Sequence, residues 1–164
     1  MDLSFSTQHE AFRKEVRDWI AAHLDRTWGE TLRDPGMGER ELIEERRSWQ
    51  RKLNAGGYLG MRWPREWGGR GATGVEEAIL AEELANADAP EVPNSLGLTL
   101  CAPALIHHGT EEQRQRWLPR MASGELIGAI AMTEPGAGSD LKGIRTRAVR
   151  DGDHYVINGS KIFI

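Results

Sequence analysis

The sequence predicts an α+β chain, with an all-α helical body over residues 1–124 followed by a β segment over residues 125–164. Three observations carry this. Apolar residues recur at helical spacing in successive stretches before Gly124, capping patterns and glycines bracket those stretches, and after Gly124 the period changes to apolar or alternating runs of strand length.

The helices are taken in chain order. "STQHEAFRKEVRDWIAAHL" sets Thr7 three residues before Glu10, the reciprocal pattern that satisfies two orphan amides at a helix start, and Phe12, Val16, Trp19, Ile20 and Leu24 then share one face. "RDPGMGE" breaks the chain. "ERELIEERRSWQRKLNAGG" returns Leu42, Ile43, Trp49 and Leu53 in helical phase before Gly56 and Gly57. "YLGMRWPREWGGRGATG" has no period and reads as an ordered loop pinned by its tryptophans. "VEEAILAEELANA" forms a third helix with Val75, Ile79, Leu80, Leu84 and Ala87 inward. "NSLGLTLCAPALIHHG" is apolar almost throughout and is expected to be a helix buried on most sides. "TEEQRQRWLPRMASGE" repeats the capping pattern at Thr110 and Gln113 and turns Trp117 and Leu118 toward the core.

Beyond Gly124, "LIGAIAMT", "RTRAV", the residues Tyr155 to Ile157 after the turn in "DGDHYVING", and "SKIFI" read as four short strands. Four such strands leave an open edge and little sheet-on-sheet core, so they are expected to belong to a β-domain that continues or that a partner closes.

Composition bounds the function. A chain of 164 residues can bury roughly 70% of its unfolded surface, enough for a real core. Lys and Arg number 21 against 25 Asp and Glu, a net charge of −4 that argues against a surface built to neutralise nucleic-acid phosphate. Cys101 is the single cysteine, so no internal disulfide forms and a reducing compartment is expected. "MDLSFSTQHE" has no basic stretch leading into an apolar one, and no window approaches a membrane span, so the chain reads as soluble and cytoplasmic. Six tryptophans point to a packed helical body.

"TEPGAGSD", Thr133 to Asp140, lies between an apolar run and the alternating "IRTRAVR". As a turn, it places Pro135 and Gly136 at the central positions of type II, with Asp140 capping the next segment. As a ligand loop, Gly136 and Gly138 let backbone amides approach closely while Thr133 and Ser139 supply hydroxyls. A Walker loop requires Gly-Lys-Ser/Thr, and the dinucleotide fingerprint requires glycine where Leu141 stands; neither is present. The residues alone lead as far as a polar ligand loop after a strand.

The segment "AMTEPGAGSDLKGIRTRAVRDGDHYVINGSKIFI" resembles the flavin-contacting region of the acyl-CoA dehydrogenase family, and the order of "WPREWGG", "NSLG" and "GTEEQRQRWLP" extends the resemblance over the whole chain. The resemblance implies a helical N-terminal domain over residues 1–124 and the first strands of a β-barrel middle domain over residues 125–164, with the C-terminal helical domain absent from this sequence. It implies FAD as cofactor: the backbone of Ile130 and Met132 and the hydroxyl of Thr133 at the polar edge of the flavin, Gly138 and Ser139 at its diphosphate, Phe163 against the ring and Ile164 presenting backbone to it. It implies an acyl-CoA substrate, with Ser139 beside the thioester arm and Leu96 and Gly97 lining the acyl pocket, although for these two a core helix contact is an equal reading. The family's reaction removes a proton and a hydride across the α and β carbons, the base being a Glu of the C-terminal helical domain. Glu134 is not that base, so no catalytic residue is assigned in this chain. An electron-transfer flavoprotein is the implied acceptor and a homo- or hetero-oligomer the implied assembly. A flavin oxidase or monooxygenase of the same fold, or a non-catalytic subunit completing a partner's site, are the alternatives.

Other features point to structure. Arg145, Arg147 and Arg150 alternate as on a solvated strand face rather than forming a CoA phosphate site. His107 and His108 diverge by about 100° on a helix, with no third metal ligand at useful spacing, and suit a helix C-terminus. Cys101 reads as a small core residue.

Overall fold

The computed structural model describes residues 5–25, 27–31 and 36–164. The chain separates into two compact units, Met1–Gly128 and Ala129–Ile164. The expected order, a helical domain and then the start of a β-domain, is what the structure shows.

In the first unit, α1 (Thr7–His23) is capped one residue earlier than expected: the Ser6 hydroxyl accepts from the His9 amide at 3.2 Å. Ser6 has the extended backbone a cap requires, whereas Thr7 is already helical. After the short α2 (Trp28–Thr31), α3 (Glu39–Ala55) starts where the Glu41 carboxylate accepts the Gly38 amide at 3.1 Å. Of the predicted break at "RDPGMGE", residues 33–35 lie outside the described residues. Trp49 and Leu53 are buried on α3, but Ile43 faces solvent. Leu42 stands one heptad before Trp49 and shares its face; Ile43 is rotated about 100° from it.

α4 (Gly74–Asn86) has a reciprocal cap between Thr73 and Glu76 and buries Ile79 and Leu80, while Val75 in its first turn stays exposed. α1 and α4 are tied by the buried carboxylate of Glu83, which accepts Arg13 Nη1 at 2.8 Å and Arg17 Nε at 2.9 Å. A carboxylate in that position requires such partners. The loop between α3 and α4 is ordered as expected: Tyr58, Met61 and Trp63 are buried, and the Met61 carbonyl accepts the amides of Arg70 and Ala72.

The "NSLGLTLC" stretch departs from expectation. It forms a wide π turn, Gly97–Cys101, leading into α5 (Ala102–His108), and it is buried on one side only. Asn94, Leu98 and Ala102 point inward at four-residue spacing, and Leu96 and Leu100, two residues out of phase, are 48% and 52% exposed. In α6 (Glu111–Ala122) the Thr110–Gln113 cap forms and Leu118 is fully buried. Trp117 is only half-buried, with the guanidiniums of Arg116 and Arg120 4.5 and 5.6 Å from its ring.

Two buried amides close the end of α6. Gln50 Nε2 donates to the carbonyls of Met121 and Ala122, and Asn94 Nδ2 donates to Met121 at 2.8 Å. These are among the carbonyls a helix C-terminus leaves unpaired. Asn94 Oδ1 also accepts the Gly128 amide at 2.7 Å. Here the backbone packs closely: a Cβ on Gly97 would overlap Asn94, and one on Gly128 would lie 2.6 Å from Gly97 Cα. Among the described residues no helix is long and apolar enough to cross a membrane.

In the second unit, β1 (Arg147–Asp151) and β2 (His154–Asn158) form an antiparallel hairpin with Asp151 opposite His154. Its two-residue loop has φ +63° at Gly152 and no positive φ at Asp153, the II′ arrangement that suits strand twist. "LIGAIAMT" and "SKIFI" are not strands in this structure, against the four expected: among the described residues they share one backbone bond, Ile162 N–H to the Thr133 carbonyl at 3.0 Å. A ladder needs successive bonds.

Asn94→Ala should destabilise the protein by about 1–3 kcal/mol, because the Gly128 amide loses its acceptor and the Met121 carbonyl loses one donor while keeping Gln50 Nε2 and the Gly124 amide. Gly97→Ala should cost a similar amount, about 1–3 kcal/mol, by overpacking. Denaturant unfolding measures both; a loss below ~0.5 kcal/mol, the range of ordinary surface substitutions, would show that the contacts are not limiting.

Candidate functional site

The Thr133–Asp140 stretch is a tight turn with Pro135 and Gly136 at its tip. The Glu134 amide donates to the Ala137 carbonyl and the Ala137 amide to the Glu134 carbonyl, both at 3.0 Å. It is not the expected type II turn, because that requires positive φ at Gly136 and none is found. The reciprocal pair closes the turn without it. Asp140 caps the next segment as expected, its Oδ1 accepting the Lys142 amide at the start of the 3-10 turn Leu141–Gly143.

Since neither Gly136 nor Gly138 has positive φ, and a Cβ at either would meet nothing within 4 Å, the fold itself does not require glycine at these positions. Glycine there leaves the backbone open to close approach from outside. Among the described residues, the amides of Ile130 and Met132 and the hydroxyls of Thr133 and Ser139 donate no hydrogen bond within the unit. Ile130 and Thr133 are half-buried, and Met132, Gly138 and Ser139 are exposed. These donors suit the carbonyl and nitrogen edge of a polar ring and a diphosphate, so the residues fit the flavin that the resemblance implies.

Beneath the turn, Glu134 is buried, at 8% exposure. Its Oε2 accepts the Arg145 amide at 2.7 Å, and its Oε1 accepts the Thr146 amide at 2.9 Å and Lys161 Nζ at 3.0 Å. The Thr146 hydroxyl beside it, these amides and the Lys161 ammonium hold the carboxyl down to about 2. Thr146 Oγ1 is buried and makes no well-formed hydrogen bond, so its effect on the carboxyl is one of proximity. Gly159 covers Thr146 so closely that a Cβ would overlap the hydroxyl.

Lys161 also donates to the Met132 carbonyl at 2.9 Å, and the next residue, Ile162, donates to the Thr133 carbonyl at 3.0 Å. The unit thus brings Met132 and Thr133 alongside Lys161 and Ile162. Phe163 comes next, with φ +60° and a ring 88% exposed, a conformation a bulky residue rarely adopts. Ile164 is exposed beside it. Gly138 and Ser139 lie past the turn, without side-chain contacts to these residues. Leu96 and Gly97 belong to the other unit, where Gly97 packs on Asn94 and Leu96 is exposed.

Sequence reading missed Lys161, Thr146 and Leu100. The signal for Lys161 was a lone lysine directly before the apolar run Ile162–Ile164 in "SKIFI"; for Leu100, its four-residue spacing from Leu96. Thr146 gave no signal. Among the described residues no cluster of His, Cys, Asp and Glu could hold a metal, and His107 and His108 end α5. Arg147 and Arg150 project from opposite faces of β1.

The Glu134 carboxyl lies below its ordinary value of 4.5 in the folded state, at about 2. Its stabilising contribution is therefore complete above pH about 4.5 and disappears as pH falls toward about 2. The stability difference between the protein and Glu134→Gln should be flat above that window and shrink within it, read by denaturant unfolding at stepped pH. A difference that is already constant from neutral pH to the acid limit would refute the paired carboxylate.

Residues 6–125 match the family described as acyl-CoA dehydrogenase, N-terminal domain, and residues 129–164 match its middle domain. Acyl-CoA dehydrogenase IpdE1 of Mycobacterium tuberculosis is 42% identical over 158 residues, 94% of this chain and 40% of that protein. The structure of the ChsE4–ChsE5 complex from M. tuberculosis superimposes with a TM-score of 0.77 at 37% identity, covering 99% of this chain and 40% of the matched one. A glutaryl-CoA dehydrogenase from M. smegmatis in complex with FADH2 gives 0.68 at 27% identity over 96% of this chain and 39% of its own. The chain thus spans about 40% of the length of the first of these relatives. With both domain matches covering nearly all of it, this chain belongs to the acyl-CoA dehydrogenase family.

Proposed function

We propose that this chain is the helical and early β-domain portion of an FAD-dependent acyl-CoA dehydrogenase, over residues 1–124 and 125–164, that oxidises an acyl-CoA thioester across its α and β carbons. The observation that carries the reading is the pairing of the segments at Met132–Thr133 and Lys161–Ile162, which lie far apart in sequence and meet through two hydrogen bonds, with the Met132 amide and the Thr133 hydroxyl making no bond within the unit among the described residues.

In this reading the amides of Ile130 and Met132 and the Thr133 hydroxyl hold the polar edge of the flavin. Gly138 and Ser139 take its diphosphate, with Ser139 also near the thioester arm, and Phe163 and Ile164 cover the ring. FAD, when bound, supplies the acceptor for the two electrons leaving the substrate. Leu96 and Leu100 offer apolar surface to an acyl chain, and Gly97 keeps the turn that presents them. Glu134 is a poor candidate for the base: both its oxygens are engaged by backbone amides or Lys161, and it has little affinity for a proton at neutral pH. The base is therefore assigned outside these residues. An electron-transfer flavoprotein is the proposed acceptor and a homo- or hetero-oligomer the proposed assembly, the ChsE4–ChsE5 complex supporting the hetero form.

The test is flavin content in the full-length protein. Thr133→Val should perturb the flavin spectrum and weaken binding by about 1 kcal/mol, the value of one net hydrogen bond. Gly138→Val should lose most of its FAD with little loss of fold stability, because the added atoms meet a ligand and no protein. Full FAD retention in Gly138→Val, or an unchanged spectrum in Thr133→Val, would remove those residues from the cofactor site.

A further inference from the structure

We propose that Glu134 and Lys161 act as one positioning pair, locking the two cofactor-facing segments in register so that the pairing itself, rather than either residue singly, sets the flavin geometry. This rests on the function proposed above. Each segment is short and outside any ladder, so the hairpin does not hold it. What joins them is the Lys161 ammonium, shared between the Met132 carbonyl and Glu134, together with the Ile162–Thr133 backbone bond.

Glu134 in turn is fixed by the amides of Arg145 and Thr146, which lead directly into β1. The carboxylate thus gathers the turn, the entrance to the hairpin and the segment after the hairpin at one point. Removing Lys161 leaves the buried Glu134 carboxylate without its cation, and removing Glu134 leaves the half-buried Lys161 ammonium with the Met132 carbonyl alone, so the effects of the two removals should not add. The lock ends at Ile162, the residue before Phe163. The backbone that leads into the exposed Phe163 is therefore anchored one residue earlier, beside the ion pair.

The experiment is a double-mutant cycle in the full-length protein with Glu134→Gln, Lys161→Met and the double variant, plus Lys161→Arg. Two readouts are taken: FAD affinity and visible spectrum of the reconstituted protein, and amide exchange at Ile162, Arg145 and Thr146 in the flavin-free protein. Each single variant should weaken FAD by about tenfold or more and speed exchange at Ile162, and the double should be no worse than the worse single. Lys161→Arg, which keeps the cation, should recover part of both. Lys161→Met preserves the stem and carries the test if Glu134→Gln does not fold. Additive losses, or unchanged Ile162 exchange in Lys161→Met, would overturn the pair. If the unaltered protein binds no FAD, the proposed function fails, while the exchange readout still decides whether the pair locks the segments.

Discussion

A carboxylate withdrawn from water must be met by donors on every side, and in the second unit that requirement falls on Glu134. Two backbone amides and one ammonium meet it, drawn from the entry to the hairpin and from the segment beyond it. With only a two-stranded hairpin and little buried apolar area, this unit has few other means of fixing its loops. The turn at Pro135–Gly136, the entry to β1 and the approach to Phe163 all derive their positions from the way this one side chain is satisfied.

The same rule shapes the first unit. Glu83 draws Arg13 and Arg17 of α1 onto α4, and Asn94 and Gln50 take up the free carbonyls at the end of α6. Apolar packing of Val16, Ile20, Trp49 and Leu53 supplies the bulk of the core. The buried polar residues select which helix faces meet, because a wrong alignment would leave their groups unpaired.

Local chemistry made much of the helices legible: the cap at Thr110 and most of the inward faces of α1, α3 and α4 derive from spacing and residue type alone, Ile43 and Val75 being the exposed exceptions. What could not be read was set by partners distant in sequence. Apolar content made the Leu96–Leu100 stretch look buried on most sides, but the Asn94–Leu98–Ala102 face packs inward and leaves Leu96 and Leu100 outside. "LIGAIAMT" has strand composition, yet a strand exists only where a second one pairs with it. At the candidate site, the glycines and hydroxyls of "TEPGAGSD" indicated a ligand loop, and the resemblance indicated which ligand. The position of Lys161 beside an apolar run marked the residue but not its role, which depends on the carbonyl of Met132 and the carboxylate of Glu134, both remote along the chain.

These observations divide the labour of the proposed enzyme. In the proposed function, open backbone and free donors take the cofactor, the Glu134–Lys161 pair holds them still, and the proton-abstracting group is assigned outside these residues. The most direct measurement of that claim is anaerobic mixing of a CoA thioester with the purified full-length protein while its flavin absorbance is monitored. The account predicts a yellow protein whose colour bleaches in proportion to the acyl-CoA added, with the α,β-unsaturated thioester formed in equal amount. A protein that carries no flavin, or one whose flavin stays oxidised with every acyl-CoA class tried, would contradict it.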